Sequence, residues 1–155
     1  MMADGELAAL VLERRLAAPG QQPVPSLCLP LTAAERTVLR GRRLSACGQP
    51  LLLQLPRGAA LRPGEWLAAA DGVALVQVQA APESLLRVTA GEPLELLQAA
   101  YHLGNRHVAL ELHCGELRLL ADSVLADLLR HRGLGVEALE APFQPEAGAY
   151  GGHHP

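Results

Sequence analysis

The sequence has 155 residues, half of them apolar, and a formal net charge of −3 at neutral pH. This length suits one or two small domains, and the apolar content is enough to bury a core, so the chain need not be disordered. All 13 basic residues are Arg, which excludes a mechanism that needs a Lys nucleophile or Schiff base. The weakly acidic charge, and the lack of aromatic residues interleaved with basic ones, argue against nucleic-acid binding.

Targeting and catalytic signals are absent from the sequence. Its three cysteines are widely spaced without a CxxC motif, so neither a thiolate zinc site nor a disulfide framework is predicted. The first residues lack the basic region of a signal peptide, and no apolar run reaches the roughly 18 residues of a membrane span. The common hydrolase and nucleotide-binding motifs are also missing. We therefore expect a cytoplasmic protein that does not contact the membrane and is not an enzyme.

The first half of the chain reads as short strands. Residues 7–80 are interrupted every few positions by Pro or Gly, which favours strands and turns over helices. Leu7–Leu16 and Leu51–Leu55 have strand length, and Asp71-Gly72 is a hairpin signal before the alternating run Val76–Gln79. We predict a β-rich amino-terminal domain over residues 1–80, in which a sheet edge would suit an extended peptide of a partner.

The second half begins with a strand and a helix. Residues 85–90 alternate with period two, and Pro93 is suited to the first turn of a following helix. Gly104-Asn105 is expected to end this helix, because both residues tolerate the left-handed conformation of a carboxyl-terminal cap. The apolar face of the helix is formed by Leu94, Leu97 and Tyr101.

The remaining elements complete the pattern β-α-β-β-α-β. A strand carrying Val108, Leu110 and Leu112 leads through Gly115 into Glu116–Leu120. Asp122 then caps a second helix, and residues 134–141 form the last strand. The predicted class is therefore α+β, with a ferredoxin-like domain over residues 81–143. Pro, Gly and Ala dominate residues 144–155, which predicts a short flexible tail that contains histidine.

Histidine is the residue type that points to chemistry, because imidazole binds nickel, copper and zinc. On one strand face, His107 and His113 would lie roughly 20 Å apart, and His102 and His107 lack a same-face helical spacing. No pair in the folded part completes a metal site. Two routes remain: a twofold dimer would bring His107 against its own copy, and His153-His154 at the end of the chain would close over the ion.

The other histidines have structural interpretations. His102 lies near a helix carboxyl terminus, where it would cap or pack. His113 lies beside a turn on the polar face of a strand, where it would simply be exposed. His131 lies in the last turn of the second helix, where a cation suits the helix dipole.

Several segments together resemble the UreE family of urease accessory proteins, which are nickel metallochaperones. The resemblance covers nearly the whole chain, and its most specific part is the motif around the first helix. The amino-terminal domain contributes Leu55–Gly64. The segments that resemble the carboxyl-terminal domain are Tyr101–His107, Gly115–Arg118, Asp122 with Val124-Leu125, and Phe143 with Pro145–Tyr150.

The resemblance implies a protein that binds Ni(II) at a dimer interface and delivers it to apo-urease. It makes His107 the interfacial ligand, one from each subunit, with His153 and His154 as further ligands and His102 as a secondary candidate. The expected partners are a second copy of the chain, the urease accessory GTPase and the urease pre-activation complex. Cu(II) and Zn(II) are expected to compete in vitro.

Two departures from the family pattern limit the expected capacity. Ala121-Asp122-Ser123 stands where some members have histidines, and only two histidines end the chain. We therefore expect few ions per dimer and no storage role. The alternative function is a general protein-binding adaptor or chaperone in urease maturation, in which metal binding is incidental.

Overall fold

The computed structural model describes residues 8–16 and 27–148. Its contacts divide the chain into two compact units, Met1–Ala80 and Ala81–Pro155. Described strands occur in both units, and two α-helices lie in the second. The predicted α+β class is confirmed. No helix in the described ranges has the length and apolar character needed to span a membrane.

The described residues of the first unit form two small sheets. One sheet has the strand order β1-β5-β4 and the other has the order β2-β6-β7-β3. The strands are β1 (Leu10–Leu12), β2 (Arg14–Leu16), β3 (Leu27–Leu31), β4 (Arg40–Leu44), β5 (Pro50–Gln54), β6 (Trp66–Ala68) and β7 (Leu75–Ala80).

The described part of the apolar run, residues 8–16, contributes a strand to each of these sheets. β1 pairs in parallel with β5, whereas β2 pairs antiparallel with β6. Between them the amide of Glu13 donates to the carbonyl oxygen of Ala68 at 3.0 Å. Leucine and valine side chains from both sheets fill one core, because alternate residues of a strand point to the same face. This core consists of Leu12, Leu29, Leu31, Leu51, Leu53, Leu55, Leu61, Leu67, Val76 and Val78.

The second unit, as far as Gly148, forms one antiparallel sheet with two helices. Its strand order is β11-β8-β10-β9, so β11 and β9 lie at opposite edges. The elements are β8 (Pro82–Thr89), α1 (Pro93–Asn105), β9 (Glu111–His113), β10 (Glu116–Leu120), α2 (Ser123–His131) and β11 (Gly135–Pro142). Strand β9 is shorter than predicted: it begins at Glu111, so His107 and Val108 belong to the preceding turn.

Both helices begin as the sequence predicts. Pro93 occupies the first turn of α1, where its missing N–H costs no hydrogen bond. At α2 the Asp122 carboxylate accepts the amide of Leu125 at 2.9 Å, which satisfies one of the free donors at the helix start.

The apolar face predicted for α1 is not its buried face. Leu94, Leu97 and Tyr101 are 62%, 67% and 67% exposed. The helix instead packs against the sheet through Ala99 and Leu103, which are almost completely buried. The larger apolar side chains are therefore left on the surface of this unit.

A carboxylate joins the two central strands of the sheet. Glu116 on β10 accepts hydrogen bonds from Arg87 Nε on β8 at 2.5 Å and from Arg118 Nε at 2.7 Å. These two guanidinium donors, Arg87 first, hold the pKa of the Glu116 carboxyl below its usual range. Arg87 also lies 3.7 Å from the exposed Glu137 on β11.

A candidate metal site at His107

The turn after α1 places His107 in an unusual backbone conformation. Its φ is +59°, and it is the only non-glycine residue with positive φ in the described ranges. The amide of His107 donates to the Gly104 carbonyl at 3.0 Å, and the amide of Val108 donates to the Leu103 carbonyl at 3.1 Å. These two bonds are those of a Schellman cap, in which the left-handed residue is usually glycine.

The helix ends at Asn105, as predicted, but the left-handed residue is not Gly104 or Asn105. The helix continues through Gly104 and Asn105, and the left-handed position falls on His107. A side chain with a Cβ atom is strained there, although histidine is among the residues that tolerate the conformation best. The strain marks His107 as a candidate functional residue, because residues with strained backbone conformations concentrate at functional sites.

The imidazole of His107 is exposed and lines a surface cavity of about 320 Å³. The cavity lies between the end of α1, the turn that follows it, and the segment after β11. Its walls are mainly apolar, with one carboxylate. The lining residues are Ala100, Gly104, His107, Val108, Leu110, Leu112, Glu146 and Gly148.

The segment after β11 is attached to the protein at least as far as Glu146. Phe143 is completely buried. The Gln144 amide donates to the Glu111 carboxylate at 2.9 Å, and the Glu146 amide donates to the Leu110 carbonyl at 2.7 Å. The sequence alone predicted flexibility from residue 144, but the first part of that segment bonds to Leu110 and Glu111 at the start of β9 and reaches the cavity of His107.

The other histidines that the structure describes do not line this cavity. His102 is half-buried and makes an edge contact with the ring of Tyr101, with centroids 5.6 Å apart. His113 Nε2 lies 2.7 Å from a Glu111 oxygen, and His131 Nδ1 lies 3.1 Å from the Asp127 carbonyl oxygen. His153 and His154 lie outside the described residues.

In the part of the chain that the structure describes, no three His, Cys, Asp or Glu side chains are grouped so that they could hold a metal. His107 and Glu146 are the two cavity-lining residues with groups that can ligate an ion. The sequence identified His107 but gave no indication that Glu111 bonds to the segment after β11. A single sequence contains no signal that joins Glu111 to Gln144, 33 positions away.

Comparison with known proteins decides the family. Residues 83–155 match the family described as UreE urease accessory protein, C-terminal domain. The chain is also 59% identical over 146 residues to the urease accessory protein UreE of Parasynechococcus marenigrum (strain WH8102), which covers 94% of this chain and 96% of that protein. The chain belongs to the UreE family of urease accessory proteins. The resemblance noted in the sequence is confirmed.

Two further relatives support the membership of the UreE family. The protein from Synechococcus sp. (strain WH7805) is 67% identical over 130 residues, covering 84% of this chain and 74% of its own length. The protein from Synechococcus sp. (strain CC9311) is 54% identical over 151 residues, covering 96% and 97%. Both are named urease accessory protein UreE. The chain thus has a role in urease maturation and is an accessory protein, not an enzyme.

Proposed function

We propose that this chain is a nickel metallochaperone that carries Ni(II) as cargo at a twofold dimer interface and delivers it to apo-urease. The observation that carries the proposal is the position of His107. Its imidazole is exposed, held by a strained turn, and lines a cavity next to apolar surface. A neutral imidazole is a good ligand for nickel.

An apolar surface next to His107 supports a homodimer. Leu97 and Tyr101 lie on α1 within one turn of Ala100 and Gly104, which line the cavity. Exposed apolar surface of this kind marks an interaction site. In a twofold dimer built on this face, His107 of one protomer would approach its own copy, since an isologous interface repeats every contact.

The attached segment after β11 supports further ligands from the end of the chain. Gly148 lines the same cavity as His107. Five extended residues reach about 17 Å, enough for His153 to return to an ion at His107, and His154 is the next residue. We therefore propose His107 as the interfacial ligand, His153 and His154 as closing ligands, and His102 as a neighbour of the site rather than a direct ligand.

The architecture proposed for the metal-binding unit is ferredoxin-like. The element order β-α-β-β-α-β and the sheet order β11-β8-β10-β9 support this assignment. The protein would release nickel to the urease accessory GTPase and the urease pre-activation complex. A site shared between two protomers and two terminal histidines would bind the ion without enclosing it, which suits transfer.

Protonation of imidazole should oppose binding, because a histidine ligand must be neutral. We expect nickel affinity to weaken as the solution is acidified, because protons compete with the metal ion for the imidazole nitrogen. An affinity that is constant between pH 7.5 and 5.5 would argue against imidazole ligation.

The decisive experiment is a calorimetric nickel titration of the parent protein beside His107→Ala, with the oligomeric state of each measured. We expect the tightest site to disappear while the dimer persists. His131→Ala is the matched control and should bind nickel as the parent does. The His131 ring hydrogen-bonds to the backbone of its own helix and does not line the cavity. Equal binding by the parent and His107→Ala would refute the proposal.

A further inference from the structure

The sheet β1-β5-β4 of the first unit carries charge of only one sign. The charged residues of its three strands are Arg40, Arg42 and Arg43, which all lie on β4, whereas β1 and β5 contain no charged residue. The whole chain has a formal net charge of −3. Positive charge is therefore concentrated on this sheet against the sign of the whole protein, and such a patch attracts groups of opposite charge.

A surface cavity of about 800 Å³ lies beside these arginines. Arg42 and Arg43 line the cavity together with one acidic residue, Glu35, and its other walls consist of Ala, Leu and Pro residues. Glu35 Oε1 already accepts the amide of Thr32 at 3.0 Å. The volume is in the range of natural ligand-binding clefts, which combine apolar walls with a few polar groups.

Both guanidinium groups have hydrogen-bond donors that the described residues do not use. The Arg42 side chain is exposed and makes no hydrogen bond or ion pair with any of those residues. Arg43 Nη1 donates to the carbonyl oxygen of Arg42 at 2.7 Å, but its buried Nε has no partner in the described part of the chain. Because buried donors are normally satisfied in folded proteins, an acceptor from a bound molecule would complete this site.

Apolar side chains continue the cavity on the outer face of the sheet. Arg42 pairs with Leu52 and Leu44 pairs with Pro50, and alternation along the strands turns these residues away from the core face. Leu44 is 64% exposed in the single chain. Cationic donors and uncovered apolar surface thus lie side by side.

We infer that this surface docks an acidic, partly apolar segment of a partner protein. A carboxylate matches the planar guanidinium group and accepts two parallel hydrogen bonds from it, while apolar side chains of the same segment would cover Leu44 and Leu52. No aromatic side chain among the described residues lines the cavity, so it lacks the stacking surface that a nucleic acid needs. The inference goes beyond nickel binding, because all of these residues belong to the first unit.

The test uses the full chain without metal and a labelled peptide of sequence Glu-Leu-Glu-Val-Glu-Leu-Glu with blocked ends. A second peptide has glutamine in place of every glutamate. Arg42→Gln removes one charge from the cavity, and Leu44→Thr removes apolar surface while it keeps a residue that favours strands. Arg57→Gln is the matched control, because Arg57 is an exposed arginine of the same unit that does not line the cavity.

Fluorescence anisotropy measures the affinity of each protein for each peptide. We expect the parent to bind the acidic peptide and not its glutamine counterpart. Arg42→Gln should weaken binding by roughly 3- to 10-fold, and Leu44→Thr should weaken it by roughly 2- to 5-fold. Arg57→Gln should bind as the parent does. Urea unfolding and nickel titration should give parent values for Arg42→Gln, since its side chain has no partner in the described fold.

Several results would overturn the inference. The parent would fail to bind the acidic peptide, or it would bind the glutamine peptide equally well. An equal loss in Arg42→Gln and Arg57→Gln would mean that only the net charge of the protein attracts the peptide. If inorganic tripolyphosphate displaces the peptide and Leu44→Thr binds the peptide as the parent does, the surface is a site for small anions. Nickel affinity is measured separately, so none of these results depends on the proposed function.

Discussion

The amide of His107 donates to the carbonyl oxygen of Gly104 at 3.0 Å, so a histidine occupies the cap position at which helices normally place glycine. The position is demanding for the backbone, since a Cβ atom disfavours positive φ. The imidazole at this point lies beside the cavity. Glycine would make this turn more stable, whereas histidine supplies the proposed metal ligand. The two requirements therefore conflict at residue 107.

Replacing His107 with glycine should separate these two effects. We expect His107→Gly to stabilise the metal-free protein by about 0.5–1 kcal/mol, because glycine adopts the left-handed conformation without strain. The tight nickel site should be lost. Urea unfolding at one fixed protein concentration measures the first effect, and a nickel titration measures the second.

The same substitution in a helix provides the control. His131 lies in the last turn of α2, so His131→Gly should destabilise the protein by roughly 0.2–0.5 kcal/mol and leave nickel binding intact. If His107→Gly is less stable than the parent, the contacts of the imidazole stabilise the fold by more than the backbone strain destabilises it.

A charge on the exposed face of α1 should dissociate the proposed dimer. Leu97 is 67% exposed in the single chain, and burial of a glutamate at an apolar interface would leave an unpaired charge. We expect Leu97→Glu to be monomeric by sedimentation at concentrations where the parent is dimeric, and to bind nickel more weakly. Val73→Glu changes an exposed valine of the first unit and should remain dimeric. A dimeric Leu97→Glu would place the interface elsewhere.

Local signals in the sequence predicted the element types well. Pro93 and Asp122 begin the helices as their chemistry requires, and Asp71-Gly72 lies between the paired strands β6 and β7. Each of these features depends on neighbouring residues in the chain. The loop and the two helix starts could therefore be predicted without the tertiary structure.

Features that depend on distant contacts were less predictable. The spacing of Leu94, Leu97 and Tyr101 indicates an apolar face but not whether another chain or the core covers it. The left-handed residue was expected at Gly104 or Asn105, because propensity favours them over histidine. The bond between Glu111 and Gln144 joins positions 33 residues apart. Only the folded chain shows these relationships.

Removing the cap of α2 should cost stability without affecting the metal. The Asp122 carboxylate is the acceptor for the Leu125 amide, and loss of such a cap costs about 1 kcal/mol. We expect Asp122→Ala to lower the free energy of unfolding by this amount and Asp122→Asn to lose much less. Nickel titration should give the parent affinity for both. A change in affinity would mean that α2 takes part in the site.

The contact of Glu116 with Arg87 and Arg118 predicts a pH dependence of stability. Because the folded protein lowers the pKa of this carboxyl, the unfolded chain binds the proton more tightly. The stabilisation is therefore present above the ordinary value of 4.5 and is lost as the pH falls through the lower folded value. Glu116→Gln should be less stable than the parent at pH 7, and the difference should shrink as the pH falls below 4.5.

Glu137→Gln tests whether this effect belongs to Glu116. Glu137 also faces Arg87, but at 3.7 Å and with a side chain that is 75% exposed. An exposed ion pair contributes little, so Glu137→Gln should follow the parent at every pH. Urea unfolding of the three proteins between pH 3 and 7 makes the comparison. A constant difference between the parent and Glu116→Gln would mean that packing of the side chain, and not its charge, stabilises the sheet.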